Sequence, residues 1–230
     1  MLSFVNRILN LVLVGNRANV LVKIVVACRR KVVSLPHIKG KIMKNEFEKM
    51  RSQELYSFAD AEVNASIVRA QKLCARLRTM TMHDADYREV MTQLIPGMPD
   101  SAIICPPFHC DHGTGIRLGE GVFVNYNCVM LDSGYIQIGR NTKIGPNCQF
   151  YTPNHPADAV ARRHPQETAF PITIGEDCWI AGGVIVCPGV TIGDRCIIAA
   201  GSVVVHDIPA DSMAAGCPAV VKKRLVSGGE

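Results

Sequence analysis

His155 stands in the stretch "YTPNHPADAV", residues 151–160, between Asn154 and Pro156. An imidazole accepts a proton near neutral pH, so a histidine held in a polar loop is a candidate general base. Asp60 in "SFAD", Asp111 in "FHCDHG" and Asp132 in "VMLDSG" are carboxylates that can accept hydroxyl hydrogens, and Asn125 in "VNYN" adds an amide. The run "HCDH" at 109–112 suggests a metal centre. In extended chain, however, His109 and Asp111 face outward while Cys110 faces inward, so they do not converge on one ion and no metal is expected. The ten cysteines include no C-x-x-C pair. They read as small buried hydrophobes of a reducing compartment, which points to a cytoplasmic protein.

The elements that must hold these residues are legible in the spacing of aliphatic side chains. From Ser101 onward the series Leu118, Val124, Met130, then Ile138, Ile144, Phe150, then Ile174, Ile180, Val186, Ile192, Ile198, Val204 advances by six within each group. A second series lies two residues earlier, from Ile116, Val122 and Cys128 through to Val190, Cys196 and Ser202. Residues two apart in extended chain share a face, so each repeat turns two side chains inward. Three short strands with three corners make a coil of eighteen residues, and stacked coils bury what one coil cannot. Cys178 then stacks on Cys196. Gly119, Gly139, Gly145, Gly175 and Gly193 follow the aliphatic residue, where a positive φ at the corner is expected. Asn125 occupies the equivalent position, and asparagine tolerates the same conformation.

Two faults break the register. A two-residue bulge falls at "DSGY", and Phe150 to Ile174 is 24 residues, one whole coil more than six. The inserted loop, 151–171, is the excursion that carries His155; long polar loops on rigid scaffolds are where function concentrates. Alternation turns Trp179 outward, where a subunit interface or a ligand must meet it. The expected organisation is mainly β: a β-helix over 101–215, a helical cap over 43–100 and a C-terminal tail over 216–230. Helical spacing within the cap covers 61–79 and 87–95.

Residues 1–42 are set apart by composition. Residues 1–45 hold nine Lys or Arg and no acid, whereas 46–230 hold sixteen basic and twenty acidic residues, so the overall +5 belongs to the N-terminus. The body gives no argument for nucleic acid, and none for a membrane. The first 42 residues are interrupted by Arg7, Arg17 and Lys23 before any membrane-length span accumulates. Upstream sequence preceding a start at Met43 or Met50 is the expectation, with an interfacial anchor or a transit peptide as alternatives.

The repeat, the "ELYSFAD" of the cap, "FHCDHG", "VNYNCVMLD", the "YTPNHP" loop, "PITIGEDCWIAGG" and "GCPA" together resemble the maltose/galactoside O-acetyltransferases, over about residues 46–225. That resemblance implies a left-handed parallel β-helix, a homotrimer with sites between subunits, acetyl-CoA as co-substrate and a small sugar acceptor. It implies that His155 is the general base and that transfer to the hydroxyl is direct. It assigns acceptor contacts to Asp60, Asp111, Asn125 and Asp132, the last interchangeable with Ser133. It assigns coenzyme A contacts to Trp179, Gly182, Ala200, His206 and Lys223, with a Gly182 amide toward the developing oxyanion. Two positions depart from the family pattern, His206 before "DIP" and Val220 after "GCPA". Lys222–Arg224 reads either as a phosphate contact or as a solvated helix end. Other readings are acetyl transfer to an antibiotic or serine hydroxyl, a metal-dependent hydratase on the same β-helix, or a trimerising module without activity.

Overall fold

The computed structural model describes residues 43–225 and, within 1–42, only the backbone of four short strands. Val12–Val14 pairs with Leu21–Lys23, and Ala27–Cys28 with Lys31–Val32, both antiparallel. The expectations for the N-terminal segment lie otherwise outside the described residues. Residues 1–43 and 44–230 form separate units.

In the larger unit the six-residue period becomes three parallel walls. The first wall stacks Ile103–Ile104, Phe123–Val124, Lys143–Ile144, Trp179–Ile180 and Ile197–Ile198. The second stacks Phe108–Cys110, Cys128–Leu131, Gln149–Tyr151, Ile185–Val186 and Val203–Val204. The third stacks Ile116–Leu118, Ile136–Ile138, Ile172–Ile174 and Thr191–Ile192. The chain visits the walls in that order, coil after coil. Both inward series are buried as the spacing requires, except that Leu118 at the first coil stays half-buried. Cys178 and Cys196 stack, the Cys196 N–H lying 3.4 Å from Cys178 Sγ.

The corner glycines work differently from the expectation. None of Gly119, Gly139, Gly145, Gly175 and Gly193 has positive φ; that conformation falls two residues later, at Gly121, Asn141, Asn147, Asp177 and Arg195. Likewise it is Asn127, with φ 60°, and not Asn125 that adopts it. The glycines are needed because the next coil passes too close. A Cβ on Gly139 would sit 2.5 Å from the carbonyl carbon of Gly175, and one on Gly145 2.6 Å from the Gly182 nitrogen.

Three helices cap the first coil: α1 (Glu46–Arg51), α2 (Ala61–Leu77) and α3 (Tyr87–Leu94). Asn45 and Glu48 form a reciprocal capping box on α1. Leu73, Cys74 and Leu77 of α2 join Val90, Met91 and Leu94 of α3 over Ile104 and Phe108, closing the open end of the core. At the other end Ser212–Gly216 adds a parallel strand to the first wall, and Ala219–Arg224 pairs antiparallel with it. Lys222–Arg224 is therefore strand, not helix end: antiparallel pairing with Ser212–Gly216 takes up its backbone.

Candidate active site

The inserted loop leaves at the edge between the second and third walls. It is not a free excursion. Pro153–Asn154 pairs antiparallel with Gln166–Ala169, which in turn pairs with Tyr56–Ser57 of the cap. Thr152 ties its root to the bulge, accepting from the Gly134 N–H at 2.8 Å and donating to the Leu131 carbonyl at 2.6 Å. The bulge and the loop are thus one construction, since Gly134 lets the returning Phe170 backbone pass.

His155 lies at the exposed start of this loop. Its ring meets Phe58 edge-on at 6.3 Å between centroids, and its Nε2 points toward Glu167 Oε2 at 3.8 Å. Glu167 was not singled out by sequence, yet it is the buried partner of the histidine. Its other oxygen accepts from the Tyr56 hydroxyl and lies 3.5 Å from Ser133 Oγ. Burial and the Glu167 contact push the Tyr56 phenol far upward, so it remains a donor. Tyr56 pairs with Glu167 across two strands 111 residues apart. The alternation of "QETA" was the only sequence signal available.

Asp111 sits at the same edge, two coils below the root of the loop. Burial chiefly, with the charges of Asp132 and Glu167 adding, raises its carboxyl to about 7. Asp132 has a different job from the acceptor contact expected of it. It is fully buried, and its oxygens accept from the N–H groups of His112, Gly113 and Gly115 at 2.8, 3.0 and 2.8 Å. No oxygen is left facing solvent for a hydroxyl. Ser133 is equally buried. Arg51 of α1 locks the bulge, donating to the Ser133 carbonyl at 2.9 Å and to Thr114 Oγ1 at 3.0 Å. Asp60 caps α2, accepting from the Glu62 and Val63 N–H groups through one oxygen, two residues beyond Phe58. His109 points outward and Cys110 inward along their strand.

The remaining candidates lie along a different edge. Asn125, Gly182 and Ala200 share the edge between the first and second walls; Gly182 and Ala200 are on successive corners, and the Gly145–Pro146 corner separates them from Asn125. Asn125 Oδ1 accepts from the Tyr126 N–H at 2.8 Å. Gly183 and Gly201 carry positive φ of 71° and 70°, and Gly201 has open space where a side chain would stand. The result is a ridge of nearly bare backbone. Trp179 projects from the adjacent first wall at 55% exposure, in the outward column that runs from Lys143 through Ile197 and Met213 to Lys223. His206 lies at the edge of the His155 loop, two coils further on. Within one chain Asn125 does not face His155: the two stand on different edges, separated by the width of the second wall.

Residues 171–206 match the family model described as bacterial transferase hexapeptide, six repeats. Nodulation protein L of Rhizobium leguminosarum bv. viciae is 42% identical over 180 residues, which cover 78% of this chain and 95% of that protein. Among solved structures, a maltose O-acetyltransferase from Clostridium difficile 630 superposes with TM-score 0.77 at 37% identity, covering 80% of this chain and 99% of its own. A hexapeptide-repeat acetyltransferase from Vibrio cholerae O1 biovar eltor, complexed with acetyl coenzyme A, gives 0.75 at 37%, covering 80% and 100%. With the repeat, the three-walled solenoid and near-complete coverage of these relatives, the chain belongs to the hexapeptide-repeat acetyltransferases, whose repeat implies the left-handed sense of coiling.

Proposed function

We propose that the protein moves the acetyl group of acetyl-CoA to a sugar hydroxyl, with His155 as general base, in a homotrimer. The observation that carries this reading is the pairing of a half-exposed imidazole with a buried, hydrogen-bonded glutamate on a loop pinned at both ends. The acceptor hydroxyl gives its proton to the ring nitrogen turned away from Glu167, which is Nδ1 in this rotamer. As the oxygen attacks the thioester carbonyl, Glu167 stabilises the imidazolium that forms. The proton then passes to the departing coenzyme A sulfur, leaving acetylated sugar and thiol. Asp60 and Asp111, beside the loop, are the carboxylates for neighbouring acceptor hydroxyls.

The bare ridge at Gly182 and Ala200 suits a pantetheine arm lying against backbone. The Gly182 N–H has no partner among the described residues and suits a developing oxyanion. Trp179 and Lys223 line the approach, with Lys223 available to a coenzyme A phosphate. Because ridge and base occupy different edges of one chain, a complete site needs a ridge from a second copy, which favours the trimer and gives outward Trp179 a partner.

Steady-state kinetics by thiol release, over a panel of sugars, antibiotics and serine, tests this. His155→Ala should lower kcat by roughly 10²–10⁴-fold with little change in the KM for acetyl-CoA. Near-normal kcat in that variant, or turnover confined to non-sugar acceptors, overturns the reading.

A further inference from the structure

Where the turn between α2 and α3 meets the first coil, a cavity of about 180 Å³ opens to the surface. It lies away from the His155 edge. Its walls are Met80, Thr81, Met82, His83, Cys105, Pro106 and Tyr126, and no carboxylate lines it. Cys105 is 1% exposed. The other buried thiols each meet a backbone carbonyl or another sulfur, as Cys148 meets the Ala181 carbonyl at 3.1 Å and Cys74 meets Cys110 at 4.0 Å. Among the described residues the Cys105 thiol has no such partner, and Cys105 is one of the residues that line the cavity. The turn is fixed by its own bonds: Asp84 accepts from Thr81 Oγ1 at 3.1 Å, and Thr81 Oγ1 accepts from the His83 N–H at 3.3 Å. Two methionines, which also pack against the core, one histidine and one cysteine thus line a single space. The Cys105 N–H bonds the Val124 carbonyl at 2.8 Å, so its place in the coil is equally fixed.

We infer that this cavity is a binding site for a soft monovalent metal ion, Cu(I), held by Cys105, Met80, Met82 and His83. Thioether and thiolate sulfur select Cu(I) over the harder divalent ions, and a site without carboxylates discriminates further against magnesium and calcium. Binding forms a sulfur–copper bond at Cys105 and releases its thiol proton to solvent. The proposed ligands are not residues assigned to acetyl transfer, although the cavity shares the edge of Asn125, with Cys105 in register one coil below it.

The full chain carrying Cys217→Ser, which removes the one exposed described thiol, is titrated anaerobically with Cu(I) against a chromophoric Cu(I) chelator. One ion per chain should be withheld from the chelator, with an X-ray absorption spectrum dominated by sulfur and completed by nitrogen. Cys105→Ser and, separately, the near-isosteric pair Met80→Leu/Met82→Leu should each weaken binding. The loss should reach at least the roughly 10–100-fold that losing even an outer partner costs a metal site. Each variant's unfolding midpoint without copper serves as a check on folding. Copper retained with unchanged affinity in both folded variants overturns the assignment, as does equal retention of Zn(II) or an absence of tight binding in the parent.

Discussion

His155 is half exposed and Glu167 is buried. In the proposed reaction the exposed imidazole meets the acceptor, and the carboxylate, held by Tyr56, acts through the imidazole. Glu167→Gln keeps an acceptor oxygen for the Tyr56 hydroxyl but removes the charge. If that charge stabilises the imidazolium by about 1.4 kcal/mol, kcat falls about tenfold, clearly less than in His155→Ala, with acetyl-CoA KM unaltered. Unchanged kcat would leave the glutamate a purely structural neighbour. Asp111 and His112, adjacent in sequence, push stability in opposite directions with pH. Burial lowers His112 to about 4, because the ring is enclosed beside Ser66 Oγ at 3.0 Å and the Phe47 ring. The unfolded chain takes up that proton near 6.5, so this contribution is complete above pH 6.5 and fades as pH falls toward 4. Asp111 behaves in reverse. Its carboxyl ionises near 3.9 when unfolded and holds its proton to about 7 when folded, so stability declines as pH rises through that window. Asp111→Asn should therefore raise thermal stability at pH 8 by on the order of 1–3 kcal/mol and leave it nearly unchanged at pH 4. Melting curves at the two pH values check this; an equal shift at both would discard the buried-carboxyl explanation.

The element that repeats, the coil, was the part of the fold most open to reading from sequence. Its two inward columns follow from a spacing of two within a period of six, and nearly every one of those side chains is buried. What the period does not encode is why particular corners need glycine. Positive φ was the natural expectation for Gly139, but the actual requirement comes from the backbone of Gly175, 36 residues on, and is visible only once coils are stacked. Gly139→Ala should accordingly cost about 3 kcal/mol or more, since backbone cannot yield as a flexible side chain can. Gly201→Ala has open space and bears only the left-handed backbone, at about 1–2 kcal/mol. Urea unfolding of both variants decides between them, and the reverse order would mean that the coils give way locally. The same limit explains the site. His155 and Asp111 could be picked out as candidates because a polar break in a strict period, and a motif, mark them. Glu167 was not, because its meaning depends on a cap strand pairing with the loop. The acceptor contact at Asp132 came from the family resemblance alone, which does not show that the bulge folds inward and that Arg51 covers it.

At the scale of the whole molecule, the parts of the proposed site lie on edges that one chain cannot bring together. A triangular solenoid has three edges, and a threefold ring of such prisms can set the loop edge of each copy against the ridge edge of the next. Each site then takes His155 from one chain and Asn125 from its neighbour. This makes a test that a site within one chain would fail. His155→Ala and Asn125→Ala are prepared separately, and each homotrimer should be nearly inactive. Unfolded together and refolded at equal ratio, the chains assort at random. A site is then intact when its loop comes from an Asn125→Ala chain and its ridge from a His155→Ala chain. Each condition holds half the time, so about a quarter of the sites should recover wild-type turnover. Sedimentation of the mixture should give a trimer throughout, so that the recovered activity reports assortment and not a change of assembly. Activity that stays at the level of the parents would mean that both residues serve one chain, or that Asn125 stands outside the site, and the shared-site trimer would have to be given up.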